Sequence, residues 1–178
     1  MLQWIVRSAD NQAAPFAIID KRRAQLWLFD AQGQWIDSSP VLLGSARGDE
    51  SVPGIGERDL KDILSHERTT PAGRFVVEPG RNTKGEDIFW IDYDAAVSMH
   101  RVRTHKPAEK RLKRLASATA EDNRISYGCI NVPVAFYEQR IDPLFKPGPG
   151  LVYLLPEKKP LTTVFPAVHW SAGQQAAR

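Results

Sequence analysis

A chain of 178 residues has the size of one ordinary domain and leaves no room for a separate cofactor domain. Hydrophobic residues at 42% and charged residues at 25% match a folding globular chain and exclude disorder or a coiled coil. The net charge of +3 is too small to indicate a nucleic-acid partner. A single cysteine, Cys129, excludes an intramolecular disulfide and a cysteine-rich zinc site. No apolar run approaches a membrane span, and residues 1–15, an N-terminal extension, lack the basic and apolar regions of a signal peptide.

Phe16 to Asp20 and Ala24 to Asp30 read as a strand pair around the basic turn Lys21-Arg22-Arg23, with Leu26 and Leu28 alternating with Trp27 and Phe29. Trp35-Ile36 and Pro40 to Leu43 extend this into an antiparallel meander. Ser45 to Arg68 is a long polar loop in which Asp59 is a candidate N-cap ahead of Leu60, Ile63 and Leu64. Three further strands follow, Gly73 to Glu78, Asp87 to Asp92 and Ala96 to Val102, the first two separated by Pro79-Gly80 and Asn82 to Gly85. Pro107 to Thr119 predicts an amphipathic helix with Leu112, Leu115, Ala116 and Thr119 on one face. Pro133 opens a second helix that carries Val134, Tyr137 and Ile141 and ends near Pro143. Leu151 to Leu155 is the last strand, and residues 156–178 read as a tail.

The stretch Ser126-Tyr127-Gly128-Cys129-Ile130-Asn131 carries the chemistry. A thiol after a glycine and ahead of a proline-opened helix would lie among backbone N–H groups that stabilise a thiolate and can receive an oxyanion. Its base would be His100, at the end of an apolar run, with His105 as rival. The alternative is that Cys129 is a buried small hydrophobe and His100 a structural residue. His66 and His169 have no motif context, and no pair of histidines has ligand spacing, so no metal site is expected.

These residues resemble the YkuD family, the L,D-transpeptidase catalytic domains of bacterial cell-wall synthesis, over residues 16–155. The opening strand pair, the segment Thr70-Pro71-Ala72-Gly73-Arg74-Phe75, His100 at a strand end and Ser126 to Asn131 stand in the family's order. The resemblance implies a mainly β domain, a small sandwich of mixed sheets with one or two short helices. It implies that Cys129 attacks a peptide carbonyl, that His100 is its base, oriented by the backbone carbonyl of Arg101, and that the N–H groups of Tyr127, Gly128 and Cys129 form the oxyanion hole. Ser126 and Asn131 belong to the substrate-facing part of the motif. The partner it implies is the tetrapeptide stem of peptidoglycan, which loses its terminal D-Ala and is joined to an amine of another stem. No cofactor is implied, the location is the periplasm, and carbapenem-type β-lactams would acylate Cys129.

Two features depart from the family pattern. Tyr127 replaces the usual His before Gly-Cys, and residues 101–125 make a long gap between His100 and Ser126. The gap is rich in cations, read either as a solvated helix face or as a lid for stem carboxylates. Few aromatics interleave with these charges, which argues against nucleic acid. Arg103 and Arg124 are candidate carboxylate ligands, with Arg74 weaker. Trp90 and Tyr93 either line the cleft or belong to the core. A hydrolase acting on the same bond, a wall-attachment enzyme and a non-catalytic peptidoglycan-binding module are the alternatives to a transferase. The choice between a 3,3 and a 1,3 cross-link is open.

Overall fold

The computed structural model describes residues 1–168, and His169 lies outside them. In chain order the strands are β1 (Phe16–Asp20), β2 (Gln25–Phe29), β3 (Trp35–Pro40), β4 (Leu43–Gly44), β5 (Gly73–Arg81), β6 (Asp87–Asp92), β7 (Val97–Arg101), β8 (Arg124–Ser126), β9 (Ile130–Val132) and β10 (Gly150–Leu155). The helices are α1 (Leu2–Ser8), α2 (Arg111–Leu115), α3 (Val134–Phe136), α4 (Asp142–Phe145) and α5 (Leu161–Val164). The mainly β architecture expected from the sequence is present. Eight strands form one sheet in the order β3-β2-β1-β10-β5-β6-β7-β9, and β4 pairs with β8 in a small second sheet. The β1–β10 and β7–β9 pairs are parallel, so the large sheet is mixed, not a pure meander. No helix among the described residues is long and apolar enough to cross a membrane.

Strand alternation decides what each face does. Ala17, Ile19, Leu26, Leu28, Val152 and Leu154 point into the main core, which continues through Phe89, Ile91, Val97, Met99, Ile130 and Val132. Tyr137, Ile141 and Phe145 close this core from the α3–α4 segment. On the opposite face, Phe16, Ile18, Phe29, Leu151 and Tyr153 are covered by Trp4 and Ile5 of α1 and by Phe165 after α5. Both faces are therefore packed at the β1/β2/β10 half. At the β6/β7/β9 half the second face carries Ser98, His100 and Asn131 instead.

Several elements differ from expectation. The helix expected over Pro107 to Thr119 is broken at Lys110, which takes a left-handed φ of 49°, so a 3-10 turn at Pro107–Glu109 precedes the five-residue α2. Its face is split too: Leu115 is 6% exposed and packs with Leu42 and Val102, while Leu112 is 59% exposed. The Pro133 segment runs past Pro143 as α3, a π turn over Tyr137–Ile141 and α4, with Pro143 just after the π turn. Pro79-Gly80, expected to be a turn, lies within β5. β10 stops pairing at Val77, so beyond it β5 has β6 alone as neighbour and the missing N–H of Pro79 faces no strand. Asp59 makes no side-chain cap, and the long loop is held by three short 3-10 turns. At the start of the chain, α1 has no counterpart among the expected elements.

Candidate active site

Parallel pairing of β7 with β9 sets His100 opposite Asn131. In this register the side chains two residues earlier, Ser98 and Cys129, also meet on the same face, with Ser98 Oγ 3.5 Å from Cys129 Sγ. The thiol also approaches the Ala96 carbonyl at 3.6 Å. Cys129 is half-buried and free.

The turn that presents Cys129 depends on Gly128, whose φ of +134° suits glycine and where an added Cβ would lie 2.8 Å from the Thr69 carbonyl oxygen. Thr70 Oγ1 donates to the Gly128 carbonyl at 2.8 Å and accepts from the Gly44 N–H at 2.9 Å. In a trans peptide the carbonyl and the following N–H point in opposite directions. Thr70 thus fixes the Gly128–Cys129 peptide, with the Cys129 N–H pointing away from Thr70. Gly128's own N–H, expected in the oxyanion hole, goes to Ser126 Oγ at 3.1 Å, and that hydroxyl donates to the Cys129 carbonyl at 2.6 Å. Ser126 is therefore a strut of the turn. Tyr127 packs its ring beneath the Arg68 guanidinium, 4.0 Å from the ring centroid.

His100 is 8% exposed. Its Nδ1 lies 2.7 Å from the Arg101 carbonyl oxygen, an acceptor, so the proton is on Nδ1 and the lone pair on Nε2. This is the orientation by Arg101 that the sequence resemblance implied. Burial pushes the imidazole down to about 4, against the Arg101 hydrogen bond and with help from Arg103 and Arg111. His100 is thus neutral at pH 7 and able to accept a proton. Nε2 lies 3.3 Å from Asn131 Nδ2, and Arg111 Nη1 donates to Asn131 Oδ1 at 2.5 Å.

A cleft of about 570 Å³ opens beside His100, lined by Lys84, Glu86, Asp87, Arg103 and His105 among others. Arg103 pairs with Glu86 at 2.6 Å in its wall. His105 is exposed there, off the end of β7, and lacks the pairing with β9 that fixes His100. The Arg101 side chain pairs with Asp87 and Glu138, each at 3.1 Å. Trp90 pairs in register with Ser98 and packs over Gly80, where a Cβ would meet its Nε1 at 2.5 Å. Tyr93, 71% exposed, makes an edge contact with Trp90.

Arg124 and Arg74 are not at this face. Arg124 is buried, donating to Glu157 Oε2 and to the Lys21 carbonyl, each at 2.6 Å. Arg74 binds Asp10 at 2.9 Å. Sequence reasoning missed three participants. Thr70 stood in a quoted motif, and Ser98 is two residues before His100 on an alternating strand. Arg111 had no signal that set it apart from the other cations of the insertion. Among the described residues, no group of three or more His, Cys, Asp or Glu could hold a metal ion.

No family model matches the chain, and no curated protein matches it significantly. Solved structures do match. The helical cell shape determining protein Pgp2 from Campylobacter jejuni is similar over 88% of this chain and 55% of its own, with a TM-score of 0.50 at 14% identity. The catalytic domain of the E. faecium L,D-transpeptidase is similar over 79% of this chain and 98% of its own, with a TM-score of 0.46 at 17% identity. An L,D-transpeptidase from Xylanimonas cellulosilytica is similar over 79% and 60%, with a TM-score of 0.49 at 15% identity. The likeness is one of fold, carried by the match to Pgp2, and this chain spans about half the length of that structure.

Proposed function

We propose that this domain is a peptidoglycan L,D-transpeptidase, a cysteine acyltransferase that works in the periplasm. The observation that carries the proposal is the shared face of Cys129 and a neutral His100 of fixed tautomer, with the Gly128–Cys129 peptide fixed by Thr70. The fold likeness and the four sequence motifs support the substrate class.

The Cys129 thiol loses its proton to His100 Nε2 and attacks the carbonyl of the stem's diamino acid. The carbonyl oxygen takes up the negative charge beside the Cys129 N–H. Collapse of this intermediate breaks the peptide bond, the D-Ala amine leaves with the proton from His100, and a thioester remains on Cys129. An amine of a second stem then attacks the thioester, gives its proton to His100 and forms the new amide. His100 returns a proton to the thiolate. The strained amide of a carbapenem offers the same thiolate a carbonyl, so it would acylate Cys129.

Incubation with purified disaccharide tetrapeptide, followed by intact-mass spectrometry and product chromatography, tests this reading. A cross-linked dimer and a thioester adduct are expected, and both should vanish in Cys129→Ala. Tripeptide without dimer would make the enzyme a carboxypeptidase. Neither adduct nor product would leave a binding module.

A further inference from the structure

The imidazole that should take the thiol proton is occupied. Arg111 can only donate, so its bond to Asn131 fixes Oδ1 on the Arg111 side and turns Nδ2 toward two acceptors, His100 Nε2 at 3.3 Å and the Cys129 carbonyl at 3.4 Å. Because Nδ1 carries the proton for Arg101, Nε2 has one lone pair, and Asn131 holds it. The hydrogen-bond contacts of Cys129 Sγ among the described residues are Ser98 Oγ and the Ala96 carbonyl. Asn131 is 0% exposed, so no water competes for its amide.

Arg111 comes from the long insertion. It sits at the start of α2, which Leu115 anchors against Leu42 and Val102. Its side chain is 13% exposed and is shared between a carboxylate, Glu109 Oε2 at 2.5 Å from Nε, and the neutral Asn131 oxygen. A guanidinium binds a second carboxylate more strongly than an amide oxygen.

We propose that Arg111 is a carboxylate-operated latch on His100. In the resting protein Arg111 locks Asn131 onto Nε2. A carboxylate of an incoming stem peptide takes the Nη1 proton donor from Asn131 Oδ1, the amide is released, and Nε2 becomes free for the thiol one diagonal step away on the same face. Only hydrogen bonds are exchanged. The inference rests on reading Cys129 and His100 as an acyl-transfer pair, and it assigns the insertion a task that a solvated helix face would not have.

The test is the rate of Cys129 alkylation by iodoacetamide as a function of pH, in the full chain without stem peptide. Besides Arg111, the charged groups acting on His100 are Arg103 and Glu86. In Arg111→Met the latch is open, so alkylation at neutral pH should rise about tenfold. N-acetyl-D-alanine, a small carboxylate, should accelerate the wild-type reaction saturably and leave Arg111→Met unchanged. A structural strut predicts the reverse, since its loss would slow the reaction or leave it alone. An Arg111→Met protein that melts like wild type and reacts no faster overturns the proposal. If that variant fails to fold, Glu109→Gln decides: removing the competing carboxylate should lower the half-saturating N-acetyl-D-alanine concentration severalfold, and an unchanged value overturns the latch. Both readouts report the thiol alone. A latch without cross-linked product would refute the transpeptidase reading, and product without a latch would refute this one.

Discussion

At His100 the Arg101 carbonyl sets the tautomer, and burial makes the residue a source of pH dependence. An unfolded histidine titrates near 6.5, whereas the folded imidazole is pushed down to about 4, first by burial and then by Arg103 and Arg111. Between these values the unfolded chain holds a proton that the native state refuses. The stabilisation is complete above about 6.5 and is lost as the pH falls toward 4, on the order of 3 kcal/mol. Denaturant unfolding of wild type between pH 6.5 and 4.5 should show this slope, and His100→Gln, which cannot take the proton, should flatten it. An equally steep loss in His100→Gln would mean that the imidazole is not buried in its neutral form. Tyr127 illustrates a different lesson at the same scale. Its ring lies under Arg68, which accounts for an aromatic residue at that position by packing, without any proton chemistry.

Among the elements, what could be read from the chain depended on period and punctuation. The strands at Phe16 to Asp20 and at Asp87 to Asp92 were legible as short apolar runs bounded by polar residues and turns. The 107–119 helix was misjudged because a left-handed Lys110 leaves no trace in a lysine-rich run. Cys129, His100 and Arg101 stood in motifs that the sequence singles out, while Arg111 did not, since its contact with Asn131 comes from a fold that returns an insertion to that residue. The buried charge cluster was equally invisible, its members lying far apart in the chain. Lys21 Nζ bonds Asp49 and the Thr70 carbonyl, each at 2.8 Å, and Asp49 accepts the N–H groups of Glu157, Lys158 and Lys159. Burial alone would raise the Asp49 carboxyl, yet Lys21 and these amides hold it well below the usual range. The cluster ties the β1–β2 turn to the segment after β10 and, through Thr70, to the Cys129 turn. Asp49→Asn leaves Lys21 short of a buried counter-charge and should cost about 3–5 kcal/mol by denaturant unfolding. A loss below about 1 kcal/mol would show that the cluster is solvated in solution.

Across the whole molecule, the large sheet is used twice. At the β1/β2/β10 half both faces are packed, the outer one by α1 and by Phe165. At the β6/β7/β9 half one face is core, and the other is given to Ser98, His100, Cys129 and Asn131. The doubly packed half and the candidate site therefore lie on opposite sides of β5. Ile5 of α1 is fully buried on the outer packed face, away from the site. Ile5→Ala should cost about 2–5 kcal/mol, the range for an aliphatic side chain removed from a core. Cys129 alkylation at neutral pH, measured under conditions where the variant remains folded, should stay at the wild-type rate, because among the described residues no hydrogen bond of the site passes through α1. A tenfold change in that rate would mean that packing at one end of the sheet sets the geometry at the other. The face of the candidate site would then depend on the cover provided by residues that precede the first strand.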